Sequence, residues 1–491
     1  MGTENFVAAL AIIGIVIIVS ALLSGLIDKS GFPQVAVFLF IGAALGPWGL
    51  GLFNMTLDSP ALRVVATLSL TLVLFTDAVT LDISDVKRNA GLAFRMLGPG
   101  TILCAALTAL AAWWLLDLPP ASAAILGAAL ASTDPVLLRG LLHRPDLSPE
   151  TRHALRLESG LNDAVLLPIV VVAIALTGHH YQDVSSFTRM GFGLFILGPG
   201  AGVAIGLIGV SALDLIRKRL GVRRDYESLY SLGVAFTAFA AAEAVHGSGF
   251  LAAFAAGLTI AALDVELCDC FIEYGGVTAE MLLLLTFVIF GTSLIWTGFS
   301  GLNAATIIFA AFTVLIRVPI YLMSLIGTKV NRRGRLVIAW FGPRGLSSLL
   351  LILLAVFAGM PGSDRLFQIC SLVVLISIVI HGASPMLLAR FSEKVDTEEP
   401  PTAPESPKES RALPVIESPL VVGTQSISFE ELDHLQNSGE QVIIVDARTE
   451  RSRETSESQA KGSVRLVPEN VVVQARQLNL PKEAWLIVYC A

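Results

Sequence analysis

The sequence predicts an all-α polytopic membrane protein. Hydrophobic residues make up 54% of the 491 residues and charged residues only 15%, and the mean hydropathy is +0.73. A soluble domain of this length cannot bury so much apolar surface. The apolar residues also gather into about thirteen runs that are long enough to cross the ~30 Å hydrocarbon layer, alone or with help from a neighbour.

Short loops separate the predicted spans. The spans run roughly over 6–27, 34–51, 61–81, 92–116, 121–143, 154–178, 190–216, 229–246, 249–263, 278–297, 301–327, 334–359 and 366–390. The split at 246–249 could also be a break within one longer element.

Basic residues in the short loops predict the orientation of the chain. Lys and Arg resist translocation, and they gather in alternate loops, at 87–88, 139–156, 217–224 and 329–335. The opposite loops are nearly empty of them. The N-terminus is therefore expected outside and the C-terminus in the cytoplasm.

Two predicted spans are interrupted by a proline next to a charged residue. In the fifth, Ala-Ser-Thr-Asp-Pro at 131–135 places a proline in mid-membrane, which removes a backbone donor and unwinds or kinks that turn. In the twelfth, Gly-Pro-Arg-Gly at 342–345 does the same. Broken helices at corresponding places of two halves indicate a transporter site between inverted repeats. Ordinary proline kinking is the alternative.

The stretch from Arg156 to Asp163 brings charge into the sixth span. Glu158 and Asn162 are four residues apart, and so are Ser159 and Asp163, so each pair lies along one stripe of a helix face. Asp163 lies roughly 13 Å beyond the predicted start of the span by helical rise. Charge at that depth is costly and indicates an ion or proton path. The alternative is a charged helix start at the membrane surface.

Together these motifs resemble the signature of the cation:proton antiporter family, in the branch of bacterial NhaP-type and eukaryotic sodium/proton exchangers. The resemblance depends on Ser-Thr-Asp-Pro at 132–135 combined with Glu-Ser-Gly-Leu-Asn-Asp at 158–163. Blocks at 74–82, 248–257 and 340–345 resemble further family motifs in the same order. The likeness covers residues 1 to about 390.

The resemblance implies a transporter and not an enzyme. It implies a core domain with two crossing, unwound helices and a second domain that forms a homodimer in the lipid bilayer. The expected substrates are the proton and a monovalent cation, Na+ or Li+ with K+ as a further candidate, and no cofactor is expected. Oxygen ligands of this kind do not distinguish sodium from potassium.

The resemblance also implies which residues meet the ion. Asp163 would take either the cation or the proton. Ser159 and the backbone carbonyl of Thr133 would complete the oxygen shell of the cation, and Asp134 would act at one remove, through water. Asp77 stands where the family usually has a glutamate, and its shorter side chain reaches less far.

Three further residues would brace the site. Glu158 and Asn162 would hold it together, and Arg344 would neutralise Glu158 in the low-dielectric interior. Arg317, which precedes Pro319 in the eleventh span, is expected to have a structural role or to extend toward the inner membrane surface.

A single carboxylate that holds a proton or a cation, but never both, couples the two flows by competition. Because residue 162 is an asparagine and not a second aspartate, electroneutral exchange of one proton per cation is expected. A cation channel is the alternative within transport. It is disfavoured because a deep single carboxylate suits occlusion and exchange better than rapid conduction.

The composition changes sharply after residue 390, where the transmembrane domain (1–390) is predicted to end. Residues 391–491 contain 17 acidic and 10 basic residues, and the part before them contains 23 of each, so nothing suggests a nucleic-acid partner. Residues 391–425 are predicted to be a flexible, acidic, proline-rich linker.

Residues 426–491 resemble part of a rhodanese homology domain. Strands are predicted at 442–445 and 485–489, the second ending at Cys490. The alternative function is therefore a membrane-anchored, rhodanese-like sulfurtransferase or redox sensor.

Overall fold

The computed structural model describes residues 14, 18–19, 22, 34–52, 55–81, 83–142, 147–177, 184–219, 224–263, 269–328, 330–395, 442–447, 460, 462–466, 474, 478 and 485–489. These residues fall into two compact units, Met1–Pro400 and Pro401–Ala491. The first predicted span, 6–27, lies outside the described residues except for four helical positions.

The described part of the first unit consists mainly of α-helices. They are α1 (Gln34–Leu45), α2 (Pro60–Val79), α3 (Ile83–Arg88), α4 (Ala90–Arg95), α5 (Leu103–Leu116), α6 (Pro120–Ala131), α7 (Pro135–Leu142), α8 (Pro149–Thr177), α9 (Val184–Phe192), α10 (Gly198–Arg219), α11 (Arg224–Ala244), α12 (Gly249–Ala262), α13 (Asp269–Ile289), α14 (Ala304–Leu315), α15 (Arg317–Ser324), α16 (Arg332–Trp340), α17 (Leu346–Phe357) and α18 (Ser363–Val395). Short π-helical segments cover Met96–Ile102, Gly193–Leu197 and Phe290–Leu294, and a 3₁₀-helix covers Ile295–Gly301.

The lengths and apolar character of these helices show an integral membrane protein. In the described part of the chain, eight helical stretches are long and apolar enough to cross a membrane. They are Pro60–Val79, Ala90–Leu116, Pro120–Leu138, Pro149–Thr177, Thr188–Ile216, Gly275–Gly301, Ala304–Ser324 and Ser363–Gly382. Four shorter apolar helices accompany them: Gln34–Leu45, Leu229–Ala244, Gly249–Ala262 and Leu346–Phe357. The polytopic class is confirmed, and the count of about thirteen spans stays a prediction.

Both predicted interruptions are present. Helix α6 ends at Ala131 and α7 begins at Pro135, and α16 ends at Trp340 before α17 begins at Leu346. The uncertain split is a real boundary as well, since α11 and α12 are separate helices. There Glu243 Oε1 accepts the N–H of Gly249 at 2.9 Å, so this carboxylate caps the start of α12.

The π-helical segment Met96–Ile102 was not predicted. It contains Pro99, which cannot donate a backbone hydrogen bond, and insertions of this kind are frequent near functional sites. The segment packs against α8 and α15. It thus contacts the two helices that carry Glu158 and Arg317.

The interrupted helices lie within the larger hydrophobic core. Helix α6 packs against α8, and α17 packs against α6, α8 and α18. A second, smaller core joins α2, α11, α12 and α13. Helix α2 contacts α8 as well as the second core, so it borders the candidate site described below.

The described residues of the second unit form three parallel strands: β1 (Val442–Asp446), β2 (Val464–Arg465) and β3 (Trp485–Tyr489), in the order β2-β1-β3. The predicted strands at 442–445 and 485–489 are confirmed. Cys490 and the linker 391–425 lie outside the described residues, except for the end of α18. The rhodanese-like resemblance therefore stays a prediction.

Candidate functional site

The two interrupted helices meet at their breaks, and Asp134 joins them. Its N–H donates to the carbonyl of Pro343 at 2.9 Å. Its carboxylate accepts the N–H of Val136 on Oδ1 at 2.9 Å and that of Leu346 on Oδ2 at 2.8 Å. These two N–H groups lie at the starts of α7 and α17, where a helix offers them no backbone acceptor of its own. One buried carboxylate therefore offsets the positive ends of two helices.

The close approach of the breaks requires glycine at 345. A Cβ atom there would overlap the Asp134 carboxylate. The sequence motif at 342–345 therefore reflects packing at the crossing as well as helix breaking.

Arg344 has the complementary electrostatic role. Its Nη1 donates to the carbonyls of Ala131 and Ser132 at 3.0 and 3.2 Å, at the end of α6 where the helix dipole is negative. The expectation that Arg344 neutralises Glu158 is wrong, because its guanidinium binds these carbonyls.

The partner of Glu158 is Arg317. Nη1 and Nη2 of Arg317 donate to Oε1 and Oε2 of Glu158, each at 2.7 Å, and the two side chains are 2% and 0% exposed. Arg317 also donates to the carbonyl of Ile338 at 3.1 Å. It is thus buried at the crossing and does not extend to the membrane surface. Gly342 leaves room for it, since a Cβ at 342 would overlap the guanidinium.

Tyr321 extends this ion pair toward the π-helical segment. Its hydroxyl donates to Glu158 Oε1 at 3.0 Å, and its ring lies 3.8 Å from the Arg317 guanidinium carbon. Thr101 Oγ1, within the π-helical segment, lies 3.0 Å from the same hydroxyl. The irregular turn therefore helps to fix the tyrosine that contacts Glu158.

The predicted bracing stripe of α8 is present and reaches the first break. Asn162 Nδ2 donates to Thr133 Oγ1, and Thr133 Oγ1 donates to Glu158 Oε1 at 3.3 Å. The Thr133 hydroxyl is therefore committed to these two side chains. This leaves the backbone carbonyl as the group that Thr133 could offer to a cation.

Asp163 differs from the other carboxylates at the crossing. It is 2% exposed and accepts a hydrogen bond from the Ser132 hydroxyl on Oδ1 at 2.5 Å, and Ser347 of α17 interacts with the same carboxylate. Its Oδ2 has no hydrogen-bond partner among the described residues. A buried carboxylate oxygen with no donor can accept a proton or a cation.

Two other predicted residues lie beside Asp163. Ser159, one turn earlier on α8, is buried, and its hydroxyl donates to the carbonyl of Arg156 at 3.3 Å. Asp77 is half-buried on α2 and packs against α8, since a Cβ at Gly160 would lie 4.0 Å from Asp77 Cβ. It is close enough to Asp163 for the two carboxylates to interact electrostatically.

No role was predicted for Ser132, Tyr321 or Thr101. For Arg317 the predicted structural role agrees with the buried ion pair, but its partner Glu158 was not predicted. Ser132 stands inside the recognised motif, so its position was a usable signal. Tyr321 follows Arg317 by four residues and shares its helix face, which could have suggested a common target. Nothing in the sequence indicates that Thr101 meets Tyr321 across 220 residues.

Comparison with known proteins places the transmembrane part in a family. The family model described as "Sodium/hydrogen exchanger, transmembrane" matches residues 15–389. The match ends before the C-terminal strands, so it gives no support to a membrane-anchored sulfurtransferase.

Curated relatives include transporters from two bacterial genera. The K(+)/H(+) antiporter NhaP2 of Shewanella sp. (strain MR-4) is 28% identical over 388 residues, covering 76% of this chain and 65% of the relative. The K(+)/H(+) antiporter NhaP of Alkalimonas amylolytica is 24% identical over 389 residues, covering 77% and 66%. The chain thus spans just under two thirds of the length of these relatives.

Solved structures show the same fold. The sodium proton antiporter MjNhaP1 from Methanocaldococcus jannaschii at pH 8 aligns with a TM-score of 0.62 at 19% identity, covering 77% of this chain and 99% of that one. A second MjNhaP1 structure, from electron microscopy, aligns with a TM-score of 0.60 at 20% identity, covering 80% and 99%.

Proposed function

The chain belongs to the sodium/hydrogen exchanger family, and from this premise we propose that it exchanges a monovalent cation for a proton at Asp163. The observation that carries the proposal is the state of this carboxylate. Asp163 is buried where the two broken helices cross, and it has one oxygen without a hydrogen-bond partner among the described residues.

The neighbouring charges leave Asp163 as the exchanging group. Glu158 is paired with Arg317, and both oxygens of Asp134 accept backbone N–H groups. An isolated ionised carboxylate is costly in a low-dielectric interior. Asp163 is therefore occupied by either a proton or a cation while it is buried in the membrane interior, and the two compete.

The proposed cation shell consists of oxygen atoms around Asp163. Ser159 and the backbone carbonyl of Thr133 supply two ligands, as the family resemblance implies. Asp134 acts through its charge and an intervening water, because its oxygens already accept two N–H groups. Asp77 approaches from α2 and supplies a further carboxylate oxygen, either directly or through water.

The proposed exchange is electroneutral, one proton for one cation, because the residue beside Asp163 is the neutral Asn162. Na+, Li+ and K+ are the candidate substrates. The relatives support this range, since the bacterial ones are named for K+ and the archaeal one for sodium.

We further propose a bacterial plasma-membrane location with the N-terminus outside and the C-terminus in the cytoplasm. The basic loops support this orientation. A homodimer, formed by a domain separate from the crossing helices, follows from the family resemblance.

The test measures proton movement with a pH-sensitive dye in proteoliposomes after addition of Na+, Li+ or K+. We expect Asp163→Asn to abolish the cation-dependent signal, because an amide cannot exchange a proton for a cation. Asp117→Asn is the matched control, because Asp117 is exposed in a left-handed backbone conformation that asparagine also adopts. Cation-dependent proton movement in Asp163→Asn would refute the assignment.

The same assay tests competition and charge balance. If one carboxylate serves both ions, the apparent KM for the cation rises by up to tenfold for each unit of falling pH, with an unchanged maximal rate. A KM independent of pH would contradict a shared site. A transport current that depends on membrane potential would contradict electroneutral exchange.

A further inference from the structure

A polar stripe on α18 contacts the second helix break on both sides. Ser377, His381 and Ser384 are spaced at four and three residues, so they lie on one face of the helix. All three are buried. We define them as the α18 stripe.

The first contact of the α18 stripe satisfies a backbone donor in the break. Arg344 N–H donates to Ser377 Oγ at 2.7 Å. Between α16 and α17 the chain is not helical, so this N–H has no helical carbonyl to reach. Arg344 is buried, and a buried backbone donor without a partner is unfavourable.

His381 fixes the hydroxyl that accepts this bond. Its Nδ1 lies 3.0 Å from Ser377 Oγ and 3.2 Å from the Ser377 carbonyl. Ser377 Oγ already accepts one hydrogen bond, so its own hydrogen is available for Nδ1 in the tautomer that carries the proton on Nε2. In the other tautomer Nδ1–H donates to Ser377. Either arrangement restricts the rotation of the serine side chain.

The second contact holds the other side of the break. Trp340, the last residue of α16, donates from Nε1 to Ser384 Oγ at 3.1 Å. Its ring centroid lies 5.7 Å from that of His381. The break is thus attached to α18 at residues 340 and 344.

Hydrogen bonds connect Arg344 and its neighbour Pro343 to the residues around Asp163. The Arg344 guanidinium donates to the backbone carbonyl of Ser132. The side-chain hydroxyl of the same serine donates to Asp163. The adjoining residue, Pro343, accepts the N–H of Asp134. The segment at 343–344 is therefore linked by hydrogen bonds to both Ser132 and Asp134.

We propose that Ser377 and His381 of the α18 stripe are positioning residues for cation binding, acting through the backbone of Arg344. This inference rests on the proposed exchange at Asp163. In the described part of the chain, the Ser377 hydroxyl bonds to the Arg344 N–H and to His381 and not to Asp163, so the effect of both residues is on the geometry of the site and not on the exchanged proton.

The experiment compares two buried serines of the same helix. Ser371 is 0% exposed, and its hydroxyl has no hydrogen-bond partner among the described residues, so Ser371→Ala controls for loss of a buried oxygen. We expect Ser377→Ala to raise the apparent KM for the cation about tenfold with a maximal rate within about twofold of wild type, and Ser371→Ala to change neither. Equal kinetics of the two variants would overturn the inference.

Two substitutions of His381 separate hydrogen bonding from packing. Asparagine places an oxygen near the position of Nδ1, whereas leucine fills space without a polar atom. We expect His381→Asn to keep a KM close to wild type and His381→Leu to match Ser377→Ala, with no additional effect in the double variant. Retained function in His381→Leu with impairment in His381→Asn would show a packing role and overturn the proposal. Absence of cation-dependent proton movement in the wild type would instead refute the proposed function.

Discussion

Replacing Arg317 by leucine is the sharpest test of how the crossing is held together. The change removes two hydrogen bonds of 2.7 Å to Glu158 and leaves that carboxylate buried without its counter-charge. Removing one partner of a buried ion pair costs about 3–5 kcal/mol, since the remaining charge is unmatched. We expect Arg317→Leu to lower the free energy of unfolding by about this amount.

A second substitution identifies the source of the loss. Glu158→Gln removes the negative charge but keeps an acceptor oxygen for Tyr321 and Thr133. We expect the double variant Arg317→Leu with Glu158→Gln to recover most of the lost stability. The same glutamine should not rescue Arg344→Leu, because Arg344 binds carbonyls of the first break and not Glu158.

The assay is unfolding in mixed detergent micelles, followed by tryptophan fluorescence, with all variants under identical conditions. Arg332→Leu is the control, since Arg332 is exposed at the start of α16. The reasoning is refuted if Arg317→Leu is as stable as Arg332→Leu. Rescue of Arg344→Leu by Glu158→Gln would instead support the pairing that the sequence suggested.

Two further predictions concern groups beside the ion pair and the exchange site. Tyr321→Phe removes the hydrogen bond to the Glu158 carboxylate but keeps the ring against Arg317, so we expect a loss of about 2 kcal/mol in the same unfolding assay. A loss as large as that of Arg317→Leu would contradict a secondary role of Tyr321 in holding Glu158. Asp77→Glu lengthens the acid that faces α8, and we expect a lower apparent KM for the cation in the proteoliposome assay, with a higher KM in Asp77→Asn. Identical KM values in these two variants would argue against a role of Asp77 in cation binding.

The sequence predicted those features of the site that local geometry determines. Pro135 requires the first interruption, and the four-residue spacing from Glu158 to Asn162 places both on one stripe, where both contact Thr133. The class of polytopic membrane protein follows in the same way from the length of the apolar runs. These features depend on residues a few positions apart in the sequence, and proline chemistry and helix periodicity determine how such residues are arranged.

The pairing of charges could not be predicted in this way. Glu158 and Arg317 are 159 residues apart, and no local rule gives the distance between α8 and α15. Arg344 was the natural candidate because it stands in the break. In the structure, the interruption leaves carbonyls at the end of α6 without a backbone donor, and these carbonyls accept hydrogen bonds from Arg344.

Charge compensation at the crossing explains why Asp163 is suited to exchange. Glu158 and Arg317 neutralise each other, Asp134 is balanced by two helix starts, and Arg344 is balanced by a helix end. Each of these charges has a fixed partner in the protein, so a passing ion would have to displace that partner. The hydrogen-bonding neighbours of Asp163 among the described residues are hydroxyls, and hydroxyls stabilise a carboxylate less than a full counter-charge does. Its remaining negative charge must be met by something that is not part of the chain, and a proton or a monovalent cation each supplies one positive charge. The compensated groups therefore stabilise the crossing around Asp163, which in the proposed exchange holds one proton or one cation at a time. Asp77, a second carboxylate beside it on α2, adds to the attraction for either ion.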